Sequence, residues 1–205
     1  KREPGSAETN SSMYRALVAT QLFGLDLSLQ TSQAVMLQGY EGLSRKGPQA
    51  SQTSFYYSQP QLSVKGKLSI QGKSLQIQGS AWLDHEWSNE MLHPDAVGWD
   101  WIGMNLDNGS ALTAFQIRDK SGAALWEGGS LRRPKRMNTK RVADGVTESF
   151  NRGEVSFKPI KYWKSPQSQA KYPIEWQVRT PSELYTVRAL IENQELDSRA
   201  STGAI

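Results

Sequence analysis

The chain has 205 residues, 37% of them hydrophobic and 21% charged, enough for one ordinary domain or one and a half smaller ones. Wholesale disorder is excluded by that composition, and no apolar run approaches membrane-spanning length. The lack of cysteine excludes disulfides, thiolate metal sites and cysteine nucleophiles, and a net charge of +4 is too small to imply nucleic acid by itself.

Lys1 to Ser12 are polar, contain Pro4 and Gly5, and read as a loop or linker. They lack the basic and apolar regions of a signal peptide, so any export signal is expected upstream. Met13 to Gln21 is the one helix candidate. Thereafter the apolar residues mostly recur with a period of two, which is the strand signature. Leu25, Leu27 and Leu29 alternate with Asp26 and Ser28, and short strands are expected at Leu62–Val64, Leu68–Ile70 and Leu75–Ile77. Gly66 and Gly72-Lys73 punctuate these pieces, the second as a hairpin turn. Asp107-Asn108-Gly109 predicts another hairpin before Thr113, Phe115 and Ile117. Strand-like pieces continue at Ala124–Trp126, Val155–Phe157, Trp176–Val178 and Tyr185–Val187. The pattern predicts a mostly antiparallel β protein, a barrel or a sandwich. A boundary is expected in the polar stretch from Gly39 to Pro60. Its aromatic triplet Phe55-Tyr56-Tyr57 is too apolar for a free linker and is expected to pack against the β domain on its C-terminal side.

Charge is distributed unevenly. Between Ser74 and Ile117 there is no Lys or Arg, yet Asp84, Glu86, Glu90, Asp95, Asp100 and Asp107 lie there. Trp82, Trp87, Trp99 and Trp101, four of the seven tryptophans, and both histidines, His85 and His93, share that stretch. Acids beside large aromatics are candidates for altered proton affinity; the alternative is a solvated acidic face with distant Lys or Arg partners. The opposite patch, Arg132, Arg133, Lys135, Arg136, Lys140 and Arg141, has no interleaved aromatics. It therefore predicts an exposed basic loop rather than a nucleic-acid site. The remaining partner it suits is an anionic membrane surface, as a peripheral contact, or another polyanion.

Usual chemistries find little support. His85-Glu86 is followed by Asn89 where a zincin helix needs histidine, and the His85/His93 spacing is unspecific for a metal. No G-x-S-x-G, phosphate cradle or dinucleotide fingerprint is present, so neither metal nor cofactor is expected. What remains is acid chemistry in an aromatic box. On a strand, Trp82, Asp84 and Glu86 share one face, and Leu83, His85 and Trp87 the other. Trp99 and Trp101 likewise share a face, opposite Asp100. Pairing in a suitable register would bring His85, Trp87 and Asp100 together. A carboxyl there could protonate an alkene, and Trp faces could stabilise the resulting cation by ~2 kcal/mol. Alternatively the tryptophans plug a barrel and the acids hydrogen-bond backbone.

The motifs Ser54-Phe55-Tyr56-Tyr57-Ser58, Gly79-Ser80-Ala81-Trp82-Leu83-Asp84-His85-Glu86-Trp87, Val97-Gly98-Trp99-Asp100-Trp101 and Asn193-Gln194-Glu195-Leu196 occur in that order. Over about 40–205 the sequence resembles the bacterial AttH-like and carotenoid 1,2-hydratase (hydroxyneurosporene synthase) family, often labelled predicted secreted hydrolases. The Trp-Leu-Asp-His-Glu-Trp run is the most specific motif. The resemblance implies two lipocalin-like β-barrels side by side, with residues 1–60 a partial first unit and connection and 61–205 the second. The family is normally longer, so part of the first unit and a strand after Ser201–Ile205 are expected to be missing. It also implies a pocket for an apolar, isoprenoid-like ligand and a periplasmic, secreted or membrane-associated setting. In hydratase members an acid protonates a terminal isoprenoid double bond and water captures the cation. Carried onto this sequence, Asp100, His85 and Trp87 are the catalytic candidates, Asp100 as proton donor. Trp82, Asp84, Glu86, Trp99, Trp101 and Tyr57 are the ligand-binding candidates. Two functions stay open: a cofactor-free hydratase or isomerase, and a non-catalytic carrier of an apolar ligand. Oligomeric state is open as well.

Overall fold

The computed structural model describes residues 12–89, 92–134 and 145–196, together with the backbone of Glu3–Pro4. The described residues contain strands and turns and no α-helix. The strands are β1 (Glu3–Pro4), β2 (Ser12–Ala19), β3 (Phe23–Gln30), β4 (Met36–Leu37), β5 (Leu43–Arg45), β6 (Thr53–Ile70) and β7 (Lys73–Trp87). They continue with β8 (Gly98–Asn105), β9 (Ala111–Arg118), β10 (Ala124–Arg132), β11 (Thr147–Phe150), β12 (Ser156–Lys164), β13 (Lys171–Arg179) and β14 (Leu184–Arg188). All pairings are antiparallel and form three sheets: β1 to β7, then β11-β10-β9-β8, then β12-β13-β14. The expected mostly-β, antiparallel class is therefore present.

The structure corrects the expected helix and the expected basic loop. Met13 to Gln21 is not helical; β2 occupies it, paired with β1 and β3. Pairing on both edges, with a cross-strand Arg15–Asp26 ion pair at 2.9 Å, outweighs a weak local helix preference. Arg132 is not in an exposed loop. It ends β10, is buried, and donates to the Ala34 carbonyl at 2.8 Å and Gln33 Oε1 at 3.0 Å. Arg133 pairs with Glu148 at 2.8 Å. Lys135, Arg136, Lys140 and Arg141 lie outside the described residues, as do Ser201–Ile205 and most of Lys1 to Ser12.

β6 is the spine of the first sheet. One edge pairs along most of its length with β7. The other edge takes β5 and β4 over Thr53–Ser58 and β3 over Ser63–Ile70. The pieces expected at Leu62–Val64 and Leu68–Ile70 are thus one strand. Gly66 is not a break but a close crossing, since a Cβ there would lie 2.1 Å from the Asp26 carbonyl oxygen. The turn to β7 is Gln71-Gly72, both at positive φ (50° and 73°), the two-residue geometry that favours Gly at its second position.

Between Gln59 and Leu62 the β6–β7 register shifts. Pro60, which has no N–H to place in the ladder, lies inside this bulge, and Gln61 adopts φ +55°. The bulge is pinned to the second sheet. Gln61 N donates to Asn105 Oδ1 at 2.8 Å, and Gln61 Nε2 to the carbonyls of Leu106 (3.0 Å) and Ser110 (3.2 Å). Asn105 Nδ2 in turn donates to the Ala81 carbonyl at 3.2 Å. The end of β8 is thereby fastened to β6 and β7.

The hairpin expected at Asp107-Asn108-Gly109 joins β8 to β9, with Gly109 at φ +82°. Alternation on this hairpin gives it two working faces. Ile102 and Ala114 look toward the third sheet, where they pack with Val155, Phe157, Trp176, Val178, Tyr185 and Val187 in the main apolar cluster. Trp99, Trp101, Phe115 and Ile117 look the other way, toward β6 and β7, and wall a cavity.

Candidate functional site

The site begins with the register of β6 against β7. Tyr56 lies opposite Glu86, and Ser58 opposite Asp84. Antiparallel partners share a face, so Ser54, Tyr56, Ser58, Asp84 and Glu86 form one polar stripe. The Trp99/Trp101/Phe115/Ile117 wall of β8 and β9 faces that stripe. Between them is an open cavity of about 300 Å³, completed by Lys46 and Leu92. Its floor is polar, its walls are apolar, and Trp99, 61% exposed, stands at the mouth.

Hydrogen-bond directions on the floor follow from which groups can only donate. The Trp101 indole N–H, a donor only, donates to Tyr56 Oη at 3.2 Å. The Tyr56 hydroxyl therefore sends its own hydrogen to Asp84 Oδ1, at 3.0 Å. From the other side, the Thr113 hydroxyl donates to Gln38 Oε1 (2.8 Å) and Gln38 Nε2 donates to Ser58 Oγ (2.9 Å). Ser58 Oγ donates to Asp84 Oδ1 at 2.6 Å. Both branches end on the same carboxyl oxygen. Asp84 Oδ2 receives no hydrogen bond from a described residue, which leaves it available to a ligand or a water.

Glu86 repeats the arrangement. Its Oε1 accepts from Ser54 Oγ and forms an ion pair with Lys46 Nζ at 2.9 Å. The Lys46 side chain is 7% exposed and also donates to Ser44 Oγ at 3.0 Å. Its ammonium lies 4.3 Å from the Phe115 ring centroid and 4.8 Å from that of Tyr56. Burial pushes the Lys46 ammonium below its ordinary proton affinity, and the charges of Glu86 and Asp84 only partly restore it. Burial, followed by the neighbouring Asp84 charge, pushes the Tyr56 phenol well above its ordinary range.

Four of the sequence candidates, Asp84, Glu86, Trp99 and Trp101, line this cavity. The structure does not bring His85, Trp87 and Asp100 together. β7 pairs with β6 and β8 with β9, so the register on which their meeting depended does not exist. Asp100 lies on the far face of β8, where it accepts from Arg118 Nε at 2.7 Å and Gln116 Nε2 at 3.1 Å. His85 and Trp87 lie on the outer face of β7. Trp87 stacks on Phe55 with centroids 5.5 Å apart, and Tyr57 meets His85 at 5.3 Å. Trp82 and Trp101 both lie over Gly103, where a Cβ would come 3.1 Å from Trp82 and 2.6 Å from Trp101. His93 Nδ1 accepts the Asp95 N–H within its own turn. Among the described residues, no three His, Asp or Glu side chains gather into a metal-ligand set.

Sequence reasoning missed Lys46, Tyr56, Phe115, Ile117 and Leu92. For Tyr56 a signal existed. Ser54, Tyr56 and Ser58 alternate with Phe55, Tyr57 and Gln59, and small polar residues on both sides of Tyr56 mark it as the inward, hydrogen-bonded tyrosine.

A second, larger cavity of about 710 Å³ adjoins the first and shares Tyr56 and Phe115 with it. Trp126 lies in its wall. Arg45 and Arg152 both approach that ring, with guanidinium carbons 4.9 and 5.2 Å from the centroid.

Comparison with known proteins agrees with this architecture. The AttH-like family model matches residues 3–204. A crystal structure from Nitrosomonas europaea, of a protein provisionally designated AttH, superposes with a TM-score of 0.85 at 46% identity. That match covers 94% of this chain and 57% of the other. Kievitone hydratase from Nectria haematococca superposes with a TM-score of 0.68 at 17% identity, over 92% of this chain and 54% of the other, and so shares the fold. The chain thus spans little more than half the length of either structure. No curated protein gives a significant sequence match. A family match over nearly the whole sequence, with close structural agreement at high identity, places the chain in the AttH-like family.

Proposed function

We propose that the cavity binds an apolar, unsaturated ligand and adds water across its double bond, without a cofactor. The observation that carries this reading is Asp84. Two donors hold its Oδ1, no described residue donates to its Oδ2, and the apolar wall of Trp99, Trp101 and Phe115 stands opposite. The only function attached to either structural neighbour is a hydratase; at 17% identity that likeness supports the fold, and the chemistry rests on the site.

In the reaction, the neutral form of Asp84, protonated on Oδ2, gives that proton to one alkene carbon and becomes the carboxylate. The π-electron pair forms the new C–H bond and leaves a cation on the other, more substituted carbon. The faces of Trp99 and Trp101, both partly exposed, stabilise that cation by about 0.5–1 kcal/mol. Water attacks it through oxygen, and Glu86 takes the surplus proton of that water. Proton return from Glu86 to Asp84 through solvent completes the cycle. Tyr56 and Ser58 hold Asp84 in position. For His85, Trp87 and Asp100 the proposal assigns support of the two sheets rather than contact with the reacting atoms.

The proposal extends to the architecture: the sheets belong to two lipocalin-like barrels, divided near residues 60 and 61. The register shift of β6 between Gln59 and Leu62 supports a boundary there.

Incubation with isoprenoid alkenes in deuterated water, followed by mass spectrometry, tests the chemistry. The product should carry one added water and one non-exchangeable deuterium. Asp84→Asn should lower turnover by about 100-fold or more while leaving ligand binding nearly intact; retained turnover would reject the assignment. A second reading, a non-catalytic carrier, is favoured by the degree to which the protein's own donors occupy Asp84 Oδ1 and Glu86 Oε1. It predicts quenching of tryptophan fluorescence by the same alkenes with no product.

A further inference from the structure

The larger cavity has a feature that an apolar pocket does not need. Arg45 and Arg152 flank Trp126, and neither guanidinium lies within 4.0 Å of a carboxyl among the described residues, although Arg118, Arg133 and Arg188 each have one. The two acids of the cavity wall are otherwise placed. Glu127 is buried and accepts the Gly153 N–H at 2.6 Å, and Glu41 lies in the turn before β5. Arg45 is fixed by donating one terminal nitrogen to the carbonyls of Gly47 (3.0 Å) and Pro48 (2.7 Å). Arg152 reaches the Leu125 carbonyl at 3.4 Å. A guanidinium stacked on an indole keeps its in-plane N–H groups for a planar anion.

From this geometry we infer that the larger cavity receives the carboxylate of an elongated ligand, held by Arg45 and Arg152 beside Trp126. The apolar, unsaturated end of that ligand lies past Tyr56 and Phe115, the residues common to both cavities. The inference deepens the function proposed above and rests on it for the apolar end alone. It makes the ligand class an unsaturated long-chain carboxylic acid rather than a neutral hydrocarbon.

Calorimetric titration of the protein with oleate and with oleyl alcohol, below the aggregation threshold of each, separates the head group from the chain. The protein should bind oleate about tenfold or more tightly than the alcohol, as expected for charge-assisted hydrogen bonds. Arg45→Gln/Arg152→Gln should bring the two affinities together by weakening oleate alone. Arg152→Gln by itself, whose side chain makes one long hydrogen bond and lies over Trp126, should give an intermediate preference with a melting temperature little changed. Equal affinities in the unaltered protein, a preference that survives the double substitution, or no binding of either probe would each overturn the inference. The binding readout is independent of turnover. Loss of the carboxylate preference with an Asp84-dependent reaction intact removes only this inference; an intact preference with turnover unaffected by Asp84→Asn removes only the hydration chemistry.

Discussion

Tyr56 donates its hydroxyl hydrogen to Asp84 across the β6–β7 ladder at 3.0 Å, and the Trp101 indole, 3.2 Å from the same oxygen, fixes that direction. Strand pairing sets the first contact and sheet-on-sheet packing the second, so one hydroxyl reports on both. Tyr56→Phe removes a donor from Asp84 and the acceptor of Trp101 with little change in shape. The loss should destabilise the fold by about 1–3 kcal/mol in urea unfolding, the cost of stranded partners in a partly buried network. Turnover should fall by about 10- to 100-fold with KM little changed, because Asp84 is left less well positioned rather than removed.

Lys46 has a structural role that a double-mutant cycle measures. Its ammonium is buried against Phe115 and Tyr56 and depends on Glu86 for its charge partner. Lys46→Met leaves Glu86 unpaired and should cost about 3 kcal/mol or less. Breaking a fully buried pair costs more, but the Glu86 side chain is 26% exposed. Lys46→Met/Glu86→Gln should recover most of that loss, since two neutral side chains need no counterion. A double variant less stable than Lys46→Met alone would show that the pair is not what holds Lys46 in place.

Gly103 controls the seat of Trp101. A Cβ there would lie 2.6 Å from Trp101 Cη2 and 2.9 Å from Cζ2, closer than packed atoms allow. Gly103→Ala must therefore push the indole off β8 and break its hydrogen bond to Tyr56. The expected results are a stability loss of about 1–3 kcal/mol, typical of overpacking, a shift in tryptophan emission and weaker ligand binding. Unchanged emission and binding would mean that the β8 backbone at residue 103, not the Trp101 indole, gives way.

The residues most readily legible in the sequence were those whose roles depend on alternation within one strand. Asp84 and Glu86, and Trp99 and Trp101, were expected to share faces, and they do. Turn chemistry likewise located the hairpins before β7 and β9. What the sequence did not reveal depends on contacts between strands. The one-residue step between Tyr56 and Tyr57 reverses the face a tyrosine presents, and only the pairing of β6 with β7 decides it. Lys46 is a single lysine in a polar stretch, 40 residues before Glu86. Asp100 drew attention through its tryptophan neighbours, but its partner Arg118 ends the neighbouring strand β9, just beyond the cation-free stretch. Asp100→Asn should accordingly cost about 1–3 kcal/mol, as for other hydrogen-bonded ion pairs, and leave turnover largely intact. Loss of turnover at unchanged stability would return Asp100 to the chemistry.

The Tyr56 phenol gives a prediction at alkaline pH whose sign is fixed. Its proton affinity in the folded protein is raised, by burial first and then by Asp84, above that of an unfolded tyrosine, which titrates near ~10. Above that pH the unfolded chain releases this proton while the folded chain keeps it, so unfolding is favoured as pH rises. The contribution is fully present below ~10 and is lost progressively above it. Lys46 works in the opposite direction: its lowered proton affinity means that the folded state releases its proton first, so stability rises between the folded value and ~10.4. Comparing the unaltered protein with Tyr56→Phe cancels both the lysine and Tyr185, a second phenol that burial raises to about 12. The variant should lose stability less steeply above pH ~10, by up to about 1.4 kcal/mol per pH unit. Phenolate absorbance should show one fewer tyrosine ionising only on unfolding. Parallel stability curves for the two proteins above that pH would mean that Tyr56 is in contact with solvent and that its bond to Asp84 does not persist in solution.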